Sequence, residues 1–136
     1  MSGALLIATD KKSAEPKREF FGLELSHADK ALTKLAKQLK VPPLSSFVSI
    51  DVEDQELLAE LAEESGEDIS GWKPDPVKWF EPDEGLKTVA ALIKRLTDDE
   101  KAVKKPAEIL RELSELQAAL VGIGKKKAKW RFWIDY

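Results

Sequence analysis

Residues 79–96, WFEPDEGLKTVAALIKRL, combine two aromatics, a helix start and an amphipathic run. Glu81 lies where a cap sits, and Pro82 suits the first helical position, where its missing N–H costs nothing. Asp83 and Glu84 place negative charge on the positive end of the helix dipole. Leu86, Val89, Ile93 and Leu96 follow at spacings of three and four and make one apolar stripe. Trp79 and Phe80 come just before the cap, where an apolar residue can staple back onto the first turn. Gly85 is the odd member, since glycine inside a helix costs about 1 kcal/mol against alanine. Its presence predicts the close approach of another backbone or an aromatic ring.

The run from Trp79 to Val89, WFEPDEGLKTV, together with a charged-aromatic strand that closes the chain, resembles small uncharacterised bacterial proteins that carry no assigned activity. The resemblance covers the last half of the chain. It implies no functional residues, so any site has to be read from the residues themselves.

Outward from that helix, Thr97 to Lys105 is a charged link, and Pro106 starts a last helix. Ile109, Leu113, Leu116, Leu120 and Ile123 form its stripe, with Gly122 and Gly124 near its end. Two helices joined by a short polar link lie antiparallel, so both stripes are expected to face one core. From Lys129 to Tyr136, Trp130, Phe132, Ile134 and Tyr136 alternate with Arg131, Trp133 and Asp135, a strand pattern.

Toward the N-terminus the signals are shorter. Ala4 to Ala8 is an apolar run that fits an inner strand or a disordered start, with the strand preferred, and Glu19 to Leu25, with Phe21, Leu23 and Leu25 on one side, reads as a strand. Ser26 is expected to cap a helix whose inner stripe is Ala28, Leu32, Leu35 and Leu39, ended by Val41-Pro42-Pro43. Leu44 to Val52 fits a loop, a short strand or one helical turn equally well. From Glu53 onward, Leu57, Leu58 and Leu61 with glutamates between them predict a short acidic helix that stops near Ser65-Gly66. Glu67 to Lys78, with Gly71, Pro74 and Pro76, is an irregular connector that Trp72 is expected to pin to the core. The expected architecture is α+β and mainly helical, with four helices packed on a small sheet that includes the N- and C-terminal strands, in a single domain over residues 1–136.

Composition sets the outer bounds. A chain of 136 residues, 43% apolar and 35% charged, fits one helix-rich domain with a heavily charged surface. Without cysteine there is no disulfide, thiolate nucleophile or zinc-thiolate site. The run Ala4 to Ala8 is too short to span a membrane and lacks the preceding basic residues of a secretory signal, so a cytoplasmic, non-membrane protein is expected. The net charge of −3 argues against a nucleic-acid binder driven by overall charge. No glycine-rich phosphate loop, dinucleotide fingerprint or metalloprotease motif occurs, so no cofactor is expected and a binding role is favoured over an enzyme.

Candidate sites fall in two segments. Between Val41 and Trp72 there are nine acidic residues and no lysine or arginine. Asp51, Glu53, Asp54 and Glu56 are of the type that ligates magnesium or calcium, but the spacing lacks the glycine and terminal glutamate of a calcium loop, and a solvated acidic face is the simpler reading. As an interaction surface, Asp51, Glu53, Glu60, Glu63, Glu64 and the aromatic Trp72 would steer a basic protein partner toward this segment, as a regulatory module requires. The second segment interleaves Lys125, Lys126, Lys127, Lys129 and Arg131 with Trp130, Phe132 and Trp133, the mixture a single-stranded nucleic-acid surface uses. Its alternative is a helix C-terminus favouring positive charge, followed by core aromatics, with an exposed Trp133 as the discriminating feature. A carboxylate-dependent enzyme using Glu81, Asp83 and Glu84 is the third reading, weakened because consecutive helix positions do not face one another. His27, the only histidine, has no nucleophile motif beside it and reads as a surface residue.

Overall fold

The computed structural model describes residues 3–16 and 19–135. In chain order the main elements are β1 (Ala4–Thr9), α1 (Leu23–His27), α2 (Asp29–Leu39), α3 (Val52–Glu64), α4 (Pro82–Asp98), α5 (Pro106–Lys125) and β2 (Trp130–Asp135). Short 3-10 turns at Lys12–Ala14, Leu44–Phe47 and Glu100–Ala102 connect them. The architecture is α+β: four long helices and a two-stranded antiparallel sheet made by the terminal strands. Tyr136, the last residue of the expected C-terminal strand, lies outside the described residues.

β2 is the centre of the fold. It runs antiparallel to β1, with Ala4 opposite Asp135 and Thr9 opposite Trp130. Its other edge is closed by single-residue bridges from Val48 to Phe132 and from Phe80 to Trp130, while Gly22 bridges to Leu5 on the outer edge of β1. Short pairings of this kind blunt the edges of a sheet that would otherwise recruit another chain. The alternation read in the sequence holds: Trp130 and Phe132 are fully buried, and Trp133 is on the opposite face. Phe47 stacks on Trp130 at 5.1 Å and meets Phe80 edge-on at 5.2 Å, so the ambiguous stretch after Leu44 proves to be a 3-10 turn that delivers an aromatic to the core.

α4 begins as its sequence predicts, with Glu81 extended before Pro82, although the Glu81 side chain makes no capping hydrogen bond. The buried stripe is turned slightly from the one predicted. Thr88, Val89, Leu92 and Leu96 form its centre, while Leu86 and Ile93 sit at its border. α5 buries all five of its predicted residues, from Ile109 to Ile123. At the start of α4, a Cβ on Gly85 would run into the indole of Trp130 and stand 2.9 Å from Leu120 Cδ1. The start of α4 therefore meets the end of α5, the antiparallel arrangement expected, and the ring predicted at Gly85 is that of Trp130.

Three expectations are corrected. Glu19 to Leu25 is not a strand: only Gly22 pairs with the sheet, Phe21 is exposed, and Leu23 to His27 is helical. The reason lies far away in sequence, since the Glu112 carboxylate accepts the N–H groups of Leu25 at 2.9 Å and Glu24 at 3.1 Å and so starts a helical turn there. Ser26 consequently caps nothing. It is buried within α1, and α2 starts after Ala28 without a capping side chain. Trp72 does not pin its loop to the core, being 41% exposed. Among the described residues no helix is long and apolar enough to cross a membrane.

Candidate functional site

Between residues 51 and 79, Ala59 is the only buried side chain among those described. The segment is an excursion from the core, and α3 is its main element. Its sequence, VEDQELLAELAEE, places Gln55, Ala59 and Ala62 on its less exposed side. Leu57, Leu58 and Leu61 lie on a neighbouring face, since residues three and four apart line up on a helix. These leucines are 55%, 43% and 50% exposed. Glu53, Glu56, Glu60 and Glu64 flank them on the far side, so an apolar strip is bordered by a wall of carboxylates. Because these leucines are half exposed, leaving them uncovered forgoes roughly 1 kcal/mol for each side chain that a partner could bury.

The excursion is held at its base by specific polar contacts. Gln55 Nε2 donates to the carbonyls of Ile50 at 2.7 Å and Asp75 at 2.9 Å, and its Oε1 accepts the Asp75 N–H at 2.7 Å. Ser49 Oγ accepts the Lys78 N–H at 2.9 Å. Arg131 of β2, itself buried, donates to the Ser49 carbonyl at 2.5 Å and to Asp51 Oδ1 at 2.6 Å, and its guanidinium lies 5.1 Å from the centre of the Trp79 ring. One residue from the acidic segment and one from the basic segment are thereby committed to each other.

That pairing divides the predicted site residues. Glu53, Glu60, Glu63, Glu64 and Trp72 are exposed on the excursion, whereas Asp51 serves to anchor it. Among the described residues no group of three or more carboxylates or histidines gathers closely enough to hold a metal ion. Glu81 pairs with Lys129 at 3.8 Å, and Asp83 and Glu84 stay exposed in the first turn of α4.

In the basic segment, Lys125, Lys126 and Lys127 are exposed at the C-terminal end of α5, where the helix dipole favours them. Lys126 lines a groove with Glu15, Glu19 and Glu115, acidic neighbours that a phosphate backbone would meet unfavourably. Trp130 and Phe132 belong to the core, and Arg131 is used by Asp51, leaving Trp133, at 38% exposure, as the accessible aromatic of β2. The residues that alternate so evenly in sequence are thus separated into core, anchor and surface.

Sequence reasoning missed Glu112. It sits in the apolar stripe of α5 between Ile109 and Leu113, is 2% exposed, and reaches the start of α1. Burial pushes its carboxyl above the usual range, with the nearby charge of Glu24 adding to the effect, while the two backbone N–H groups oppose it. The one signal available was a glutamate at a core position of an otherwise clean stripe. Comparison of the chain with known protein families, curated proteins and solved structures finds no match, so its function has to be argued from this geometry alone.

Proposed function

We propose that the protein is a cytoplasmic protein-binding or regulatory module whose docking element is α3. The observation that carries this reading is the strip formed by Leu57, Leu58 and Leu61, exposed on a helix that buries only Ala59 among its described side chains. An amphipathic helix that presents leucines three and four residues apart is suited to laying that face into a hydrophobic groove. The carboxylates beside the strip indicate the partner's chemistry: an apolar groove rimmed by lysine or arginine. Long-range attraction between the acidic helix and such a rim accelerates encounter, and burial of the leucines slows dissociation. Trp72, in the loop that follows, is an additional anchor of the kind that concentrates binding energy.

The test is affinity capture from a native extract in the presence and absence of nuclease, followed by kinetics with the purified partner. A stoichiometric, nuclease-resistant partner is expected. Replacing Leu57, Leu58 and Leu61 together by serine should abolish its retention, and reversing Glu60, Glu63 and Glu64 to lysine should slow association in a salt-dependent way. A partner that binds both variants as it binds the native chain would overturn the proposal, as would capture that depends on nucleic acid.

A further inference from the structure

A second surface, unconnected with the docking helix, carries the opposite charge. A groove of about 700 Å³ runs between the α1–α2 junction and the link from α4 to α5. Lys30 and Lys34 of α2 stand on one side of it, and Lys101, Lys104 and Lys105 of the link stand on the other. Five lysines converge here in a chain whose net charge is −3. Glu24 is the carboxylate in the lining, and it is already paired with Lys105 at 3.7 Å. Lys105 also pairs with Glu108 at 3.9 Å, whereas Lys30, Lys34, Lys101 and Lys104 make no ion pair among the described residues.

Crowding ammonium groups around a concave surface raises the local potential and concentrates anions there. Two further features shape what the groove can hold. α2 begins at this groove with no capping side chain, but Asp29 in its first turn and the end of α1 at Ala28 offset the positive end of its dipole, so the field is that of the lysines. The floor, by contrast, is apolar, made of Ala28, Ala31, Ala102, Val103 and Ile109. A lysine rim over an apolar floor, in a volume within the ordinary range for ligand clefts, suits a small molecule with a multiply charged end and an uncharged body.

We propose that this groove binds a phosphorylated small molecule carrying an apolar or aromatic group. The lysines hold the phosphates as mobile point charges, and the floor covers the uncharged part. Several ammonium groups call for more than one negative charge, so a polyphosphate is favoured over a single carboxylate.

The experiment is titration of the full chain with a fluorescent nucleoside triphosphate carrying a methylanthraniloyl group, with inorganic tripolyphosphate as competitor. Saturable binding at one site is expected, weakening steadily as salt is raised. Tripolyphosphate should compete with lower affinity, because it lacks the group that covers the floor. The variant K30E/K34E/K104E should weaken binding by at least about tenfold, while K125E/K126E/K127E, with the same change in net charge on a different surface, should change it by less than about twofold. Absence of saturable binding up to millimolar probe would overturn the proposal. So would equal losses in the two triple variants, since that outcome reports overall charge and no particular groove.

Discussion

Gly85 shows how a single missing Cβ can set a packing arrangement. Alanine there gains about 1 kcal/mol of helix propensity, yet its methyl has to displace the Trp130 indole or Leu120. Overpacking in a dense core costs about 1–3 kcal/mol, so Gly85→Ala is expected to destabilise the protein. Trp130→Phe should therefore cost less in the Gly85→Ala background than in the native chain, and a double-mutant cycle by chemical denaturation measures the coupling; additive effects would show that ring and glycine do not constrain each other. Glu112 acts in a different way, through protonation. Its carboxyl is held above the usual value, so between the unfolded-chain pKa of about 4.3 and the native one the folded protein binds more protons than the unfolded chain. Its contribution to stability therefore falls as pH rises through that window. Glu112→Gln should remove this slope and, by leaving one of the two backbone N–H groups unpaired, cost about 1–3 kcal/mol at low pH. Denaturation of the two proteins across the window checks it; parallel stability curves would mean that Glu112 does not titrate there.

At the level of elements, α4 and α5 were readable because their own stripes specify a face, and the wall of one is the floor of the other. Even so, the α4 stripe was displaced, because Gly85 and Thr88 also face inward and the sequence period does not say which border residues are covered. α1 was not readable at all. A stretch with strand-like alternation became helical because Glu112, 87 positions from Leu25, supplies the acceptors for its first turn. α3 was legible as an acidic helix, but whether its leucines were covered depends on what packs against them, which no local pattern contains. The same element depends on a tether from β2. Arg131→Met keeps much of the side-chain volume while removing the bonds to Ser49 and Asp51, and should cost about 1–3 kcal/mol. Hydrogen exchange should speed up selectively through residues 51–79. Uniform acceleration across the whole protein would instead place Arg131 in the general stability of the core.

Over the whole molecule, the sequence carried the class, the pairing of the terminal strands and the burial of Trp130 and Phe132, since each follows from a period and a net content of apolar residues. It carried the candidate residues less well. Asp51 and Arg131 were assigned to rival surfaces, yet they form one ion pair, and the lysines of the groove are scattered between positions 30 and 105 with nothing in the linear order to unite them. Charge segregation is the property that emerges only in three dimensions: an acidic helix with apolar residues on one side, and a basic cleft built from α2 and the α4–α5 link.

The chain leaves the core and returns to it at adjoining points. Ser49 hydrogen-bonds to the Phe132 carbonyl and also accepts from Lys78, and Phe80 then pairs with Trp130 two positions along the same strand. Between those feet, Arg131 ties the segment to β2 through Asp51, and Gln55 ties the segment to itself by bonding Ile50 and Asp75. A loop with neighbouring ends tolerates replacement because closing it by another length changes little in the body that bears it. The excursion is in that sense a cassette: its sequence can diverge, lengthen or be exchanged while the aromatic core stays as it is, so this segment can change separately from folding.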